Sequence, residues 1–486
     1  MSDEIVGRCH GSDNAAPPGR ACDELDTHLE GAPVQIPTSH RPTPIRQRID
    51  SVIISLISLC GLILPSMLFG TTTVWGQVNS FERPPIDYLE AEVDDPVARL
   101  AERLEAGEVE LEFDGSHGYL RSVLAALEIP ISSQTLVFSK TSLQLQRISP
   151  RRPRALYFND DVYVGWCQRG DVLEFGSTDP QQGAIFYTLE QSPATDGAEP
   201  PRFIRDRGTC LTCHASTRTQ NVPGYLVRSV FADAAGYPIL GSGTFTTDHT
   251  SPFEERWGGW YVTGEAGAMH HLGNRIFSKD DRRQTATATS SDVESLDPFF
   301  TTETYLTPHS DLVALMVLEH QTQMHNAITA ANYETRLALL QSFEMNSLLE
   351  RPEGFISDSA ERRIEAVADG VVRHLLMCDE FRLTNPVRGS TAFATEFAAR
   401  GLRDSRDRSL RDFDLNERLF RYPCSYLIGS ESFAALPGEV RGRIMSKLTA
   451  VLDGSDKSER FNHLSQNDRR AILEILRETR PELWIE

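Results

Sequence analysis

Five consecutive residues, Cys210-Leu211-Thr212-Cys213-His214, constrain this 486-residue chain more than any other feature. The two thiols are separated by about one helical turn, so that they lie on the same side of the chain. The imidazole of His214 follows directly and lies beside them. Two such thiols can bond to the vinyl groups along one edge of a haem while the adjacent histidine reaches the iron. The sequence therefore predicts one covalently attached haem.

Two other interpretations of the cysteine pair remain open. A structural zinc ion needs two further ligands at a similar short spacing, but the chain has no second C-x-x-C pair and no H-x-x-x-H pair. A redox dithiol is typical of the turn between a strand and a helix in a βαβ unit. The polar residues on both sides of Cys210 instead indicate a loop.

An apolar run from Val52 to Phe69 follows the basic residues Arg41, Arg46 and Arg48. Small and polar residues come next, which is the pattern of a signal peptide with a cleavage site. The run has 18 residues, which also makes it long enough for a membrane anchor. Both interpretations place the rest of the chain in the periplasm, where haem is attached, and limit membrane contact to this N-terminal segment.

The charge and the remaining cysteines restrict the partners. A net charge of −21 argues against nucleic acid as a partner and suits docking to a redox partner protein. Export would favour a disulfide between Cys378 and Cys424, and it would leave Cys167 as a buried thiol. The arginines Arg205 and Arg207, just before the motif, are expected to meet the haem propionates.

The hydrophobic pattern predicts an α+β fold. Short β-rich runs separated by turn residues occupy 134–190 and continue after the motif, which predicts a small antiparallel β-rich region around the haem-attachment loop. An all-helical C-terminal region follows, in which Ser310-Asp311 caps the first helix. The predicted helices are Ser310–Leu340, Arg362–Met377, Pro437–Leu452 and Asn467–Arg477.

Whether a protein ligand fills the sixth coordination position of the iron decides between electron transfer and chemistry on a small molecule. Met269, His270 and His271 follow the glycines Gly264 and Gly267, which let the backbone approach a flat cofactor. His271 is the predicted distal ligand, with Met269 as the alternative. A second candidate group on the long helix consists of His320, Met324 and His325. His374 and Cys378 lie four positions apart on another helix and are interpreted as structural.

Beyond the motif, three stretches carry a wider resemblance: 158–165, 256–264 and 421–427. With its attachment motif and leader the chain resembles a c-type cytochrome, and its long flanks are similar to those of large bacterial proteins described only as carrying a cytochrome c domain. The resemblance implies one haem c bound by Cys210 and Cys213, with His214 as an iron ligand. It implies no particular activity.

Together these observations predict an exported c-type cytochrome that transfers electrons, with a haem enzyme of peroxidase-like or small-oxide chemistry as the alternative. Depending on cleavage of the leader, the protein is periplasmic or anchored in the membrane facing the periplasm. The predicted organisation is a polar disordered tail (1–50), a signal peptide or anchor (51–76), a mixed helical and β-rich domain (77–200), a haem-binding region (201–280), a linker (281–300) and a helical C-terminal domain (301–486).

Overall fold

A central antiparallel sheet and a long buried helix organise the computed structural model, which describes residues 80–193, 201–278 and 292–484. These residues belong to one compact unit, 75–486. The predicted tail and leader, and much of the predicted linker, lie outside the described residues. The domain boundaries predicted within the unit stay predictions. No helix among the described residues is long and apolar enough to cross a membrane.

The main sheet has seven strands in the order β6-β5-β4-β3-β2-β1-β9, and each strand is antiparallel to its neighbours. Two further pairs, β7 with β8 and β10 with β11, form separate two-stranded sheets. The strands are β1 (Thr135–Val137), β2 (Arg154–Phe158), β3 (Val162–Trp166), β4 (Val172–Asp179), β5 (Gly183–Glu190), β6 (Phe203–Arg205), β7 (Val227–Val230), β8 (Thr244–Thr247), β9 (Trp260–Tyr261), β10 (Gly264–Glu265) and β11 (Arg388–Gly389).

Helices cover both faces of the main sheet. Alternate residues of β4, such as Leu173 and Phe175, face a core that includes helices α1 and α2. Val137 and Phe158 face a second core, which contains α4. The helices are α1 (Pro96–Glu105), α2 (Leu120–Ala126), α3 (Leu211–His214), α4 (Leu312–Leu348), α5 (Asp358–Leu375), α6 (Phe393–Ala399), α7 (Glu431–Ala434), α8 (Gly438–Leu452) and α9 (Gln466–Thr479).

Two parts of the predicted fold are wrong: the small β-rich region around the motif and the all-helical C-terminal region. The sheet is large, and the motif follows its edge strand β6 instead of lying within it. Strand β9 joins the sheet after the motif, and the C-terminal region contributes β11. With two residues each, β9 and β11 are too short to show alternation in the sequence. They are strands only because tertiary packing brings them beside β1 and β10.

The four longest predicted helices are confirmed as α4, α5, α8 and α9, with shifted ends. Helix α4 has 37 residues, and every residue from Ser310 to Thr329 is buried. The carboxylate of Asp311 accepts hydrogen bonds from the N–H groups of Val313 and Ala314 at 2.8 and 3.0 Å. It also accepts from the N–H and hydroxyl of Thr391, both at 2.8 Å. One buried carboxylate thus begins the helix and attaches the segment before α6.

We expect Asp311→Ala to lower the free energy of unfolding by about 2–4 kcal/mol, because it removes a helix cap and leaves Thr391 without an acceptor. Asp311→Asn should cost less, since its carbonyl oxygen can still cap the helix. Urea denaturation followed by circular dichroism measures both. Glu344→Ala, at an exposed position of α4, is the matched control. A loss no larger than that of the control would contradict this role.

Candidate haem-attachment site

The motif begins a single helical turn at the edge of the main sheet. The N–H groups of Cys213 and His214 donate to the carbonyl of Cys210 at 3.1 and 3.0 Å. One oxygen of the Asp206 carboxylate accepts from the N–H groups of Gly208 and Cys210, both at 2.9 Å. Asp206 directly follows β6, so the sheet edge fixes where this turn starts.

Both cysteines of the motif carry free thiols. Cys213 is exposed, whereas Cys210 is half-buried and packs against the core that includes α1 and α2. Burial, followed by the nearby Asp206 carboxylate, raises the pKa of Cys210 to about 12. The thiol of Cys210 is therefore protonated at neutral pH. The motif thus presents one exposed thiol and one that is partly covered by the core.

The ring of His214 is oriented by a backbone carbonyl. Its Nδ1 atom lies 2.9 Å from the carbonyl oxygen of Gly224, and its ring centroid lies 4.8 Å from that of Phe186 on β5. Because a carbonyl only accepts, Nδ1 carries the hydrogen, and Nε2 keeps its lone pair in the neutral ring. Burial lowers the pKa of His214, which favours that neutral form. A histidine that donates one ring nitrogen to a carbonyl is prepared to bind a metal through the other.

The loop between His214 and Gly224 is closed by its own polar groups. The hydroxyl of Thr219 donates to the carbonyl of Val222 at 2.8 Å, and Gly224 donates its N–H to the carbonyl of His214 at 2.9 Å. His214 and Gly224 are therefore joined by two hydrogen bonds, one between their backbones and one from the imidazole to the Gly224 carbonyl. This double contact fixes the imidazole relative to the two thiols.

Helix α4 fixes the far end of this loop. The side-chain amide of Asn326 accepts from the N–H of Tyr225 at 2.8 Å and donates to the carbonyl of Tyr225 at 2.7 Å. A Cβ atom added at Gly224 would lie 2.2 Å from the Asn326 oxygen, so only glycine fits there. The buried helix thereby positions the carbonyl that orients His214.

The predicted distal ligands lie in other surroundings. Met269 is buried in the core that contains α4. His271 is buried beside Trp257, at 5.2 Å between ring centroids, and its Nδ1 accepts from the N–H of Gly273 at 3.0 Å. Burial lowers the pKa of His271 to about 4, so the ring is neutral and carries its hydrogen on Nε2. Within the described part of the chain, no hydrogen bond or ring contact joins Met269 or His271 to the motif.

The members of the second candidate group, His320, Met324 and His325, contact different segments around α4. Met324 is fully buried in the core. His320 forms a 2.8 Å hydrogen bond with the hydroxyl of Ser425, and its Nδ1 lies 3.4 Å from Nδ1 of His249. His325 donates from Nε2 to the carbonyl of Asp160 at 2.8 Å. These histidines connect α4 to neighbouring segments.

The structure bears on two further predictions about this region. The guanidinium of Arg205 donates to the carbonyls of Tyr88 and Ala91 at 2.6 and 2.8 Å, and Arg207 donates to the carbonyl of Leu89 at 2.9 Å. These hydrogen bonds attach the segment before α1, and the contact of either arginine with a propionate stays a prediction. Cys378 and Cys424 are both buried free thiols, so the predicted disulfide is not formed.

Three residues that hold the motif were not predicted from the sequence: Gly224, Asn326 and Phe186. Gly224 follows Pro223, and such a pair signals a turn, but no local pattern indicates that its carbonyl meets His214. Asn326 is one polar residue among several in a helix, and Phe186 resembles any other core residue of a strand. Only the fold brings these three to the motif.

Among the described residues, no group of three or more histidine, cysteine, aspartate or glutamate side chains converges as a protein-only metal site. Comparison of the chain with known protein families, curated proteins and solved structures finds no match.

We expect Asn326→Ala to lower the free energy of unfolding by about 2–4 kcal/mol, because two buried backbone groups of Tyr225 lose their partners. Urea denaturation gives the overall cost. Hydrogen exchange should also become faster at the amides of Gly224 and Tyr225. Asn416→Ala, in an exposed turn, is the control. Unchanged exchange at both amides would show that α4 does not hold this loop.

Proposed function

We propose that this protein is an exported c-type cytochrome that holds one haem through Cys210 and Cys213, with His214 as an iron ligand, and transfers electrons. The observation that carries the proposal is the orientation of His214. Its Nδ1–H is held by the Gly224 carbonyl, directly beside two free thiols. This leaves Nε2 with a lone pair, which is what an iron ligand needs.

The attachment chemistry uses only groups that the motif supplies. Each thiol adds its sulfur to one carbon of a vinyl group and its hydrogen to the other, so one C=C bond becomes a C–S bond and a C–H bond at each cysteine. No oxidant is consumed and no group leaves. The haem so bound supplies one-electron exchange between ferric and ferrous iron. His214 keeps its tautomer through the Gly224 carbonyl, which maintains the same ligand atom in both oxidation states.

The proposed setting follows from charge and from the leader pattern. A net charge of −21 favours docking to a basic surface of a redox partner protein. The apolar segment Val52–Phe69 supports export to the periplasm, where the haem would be attached.

A haem enzyme with an open sixth position is the second candidate, and one observation favours it. The Nδ1 lone pair of His271 already accepts from Gly273, and its neutral ring has no second lone pair for iron. His271 would have to break this bond to become a ligand. Without a sixth protein ligand, the iron would be open to peroxide or a small oxide.

We expect wild-type protein produced with a periplasmic haem-attachment system to keep its haem through denaturing electrophoresis. Cys210→Ser combined with Cys213→Ser should abolish the in-gel haem peroxidase signal, because no thiol remains to bond to a vinyl group. Cys167→Ser, at a buried free thiol, is the control and should keep the full signal. Colourless wild-type protein, or colour that persists in the double variant, would refute covalent attachment.

The spin state of the ferric protein separates the two candidate functions. An electron carrier with six-coordinate iron should be low-spin, and His271→Ala should convert it to high-spin if His271 is the distal ligand. Met269→Ala would make that conversion if Met269 occupies the position. His270→Ala, at an exposed neighbouring position, is the control. A high-spin wild type would favour the enzyme, and turnover with peroxide would then be measured.

A further inference from the structure

We propose that Arg228, together with Arg218, forms the site that binds the propionate carboxylates of the haem attached at Cys210 and Cys213. This inference rests on the proposed function and assigns the anionic side of the same cofactor. Neither arginine is part of the motif.

The backbone of Arg228 is held firmly. Arg228 lies in β7 opposite Thr246 of β8, and its carbonyl accepts a hydrogen bond from Nε1 of Trp260 at 2.7 Å. Its neighbours Val227 and Ser229 are buried, whereas Arg228 is half-buried. Because strand side chains alternate, the guanidinium points away from the core that receives Val227.

The guanidinium of Arg228 has fewer hydrogen-bond acceptors around it than its buried donors require. Its Nε atom is buried and has no hydrogen-bond partner among the described residues. The one side-chain bond described for it runs from Nη2 to the hydroxyl of Thr244 at 3.3 Å. In the described part of the chain, neither Arg228 nor Arg218 is ion-paired with a carboxylate. A buried donor without an acceptor is unfavourable, and an anionic ligand would supply the missing acceptor.

The path of the chain brings both arginines back to the motif. Arg218 lies in the loop that Gly224 closes on His214 by two hydrogen bonds, and β7, which carries Arg228, begins three residues after Gly224. Arg218 is exposed. Burial lowers the pKa of Arg228 most, and the positive charge of Arg218 lowers it further, which agrees with this placement.

The other arginines near the motif are already paired. Arg205 and Arg207 donate to carbonyls of the segment before α1. Arg154, on β2, forms an ion pair with Glu174 at 2.6 Å. A guanidinium binds a carboxylate through two parallel hydrogen bonds. Two guanidiniums near the motif that lack an ion-paired carboxylate among the described residues therefore match the two carboxylates that a haem carries.

The test compares haem-loaded wild-type protein with Arg228→Leu. The midpoint reduction potential of the variant should shift to more negative values, because an unneutralised propionate stabilises ferric iron. The propionate bending bands in the resonance Raman spectrum should shift as well, since their hydrogen-bond donor is lost. Arg228→Lys, which keeps the charge, should retain most of the wild-type potential. Arg382→Leu removes an equal charge from an exposed arginine that pairs with Glu417 and is the control, with little change in either measurement.

The outcomes distinguish this inference from the proposed function. Wild-type protein without covalent haem would defeat the proposed function. Haem-loaded Arg228→Leu with the potential and propionate bands of Arg382→Leu would overturn only the present inference. If Arg228→Leu does not accumulate as folded protein, Arg228→Gln carries the same expectation for the midpoint potential, because it removes the charge.

Discussion

The structure depends on the burial of a polar helix. The first half of α4 is buried on every side, yet it carries Glu319, Gln321 and Asn326. A buried polar group costs free energy unless it is hydrogen-bonded, so these side chains require particular neighbours. Glu319 forms an ion pair with Arg256 at 2.9 Å. Gln321 donates to the Asn159 carbonyl and the Tyr163 hydroxyl at 2.7 and 2.8 Å. Asn326 accepts a hydrogen bond from the N–H of Tyr225. The helix thereby selects one arrangement of the segments around it.

That requirement extends to the candidate site through two contacts. Asn326 pairs with the backbone of Tyr225, and the adjacent Gly224 has no room for a side chain beside it. The carbonyl of Gly224 then orients His214. The tautomer of the predicted iron ligand is thus set by a helix far along the chain. A change in the packing of α4 would reach the motif without altering any of its five residues.

Electrostatics divides the arginines around the motif into two groups. Arg154, Arg205 and Arg207 are neutralised or hydrogen-bonded within the protein and serve the fold. Among the described residues, neither Arg228 nor Arg218 is ion-paired with a carboxylate. The positive charge of Arg218 lowers the pKa of the partly buried Arg228, so each cation disfavours the other. A cofactor with two carboxylates would relieve that repulsion. The fold and the proposed function therefore draw on different arginines.

The sequence by itself determined the local features. The spacing of Cys210, Cys213 and His214 predicts haem attachment without any tertiary information. Asp311 and the apolar period identify α4, because capping and helical periodicity act over a few residues. The size of the sheet, the unpaired thiols of Cys378 and Cys424, and the contact between Gly224 and His214 were decided by the tertiary structure. Strand β9 has two residues and becomes a strand only beside β1. Such partners are distant in the sequence, so no local pattern could reveal them.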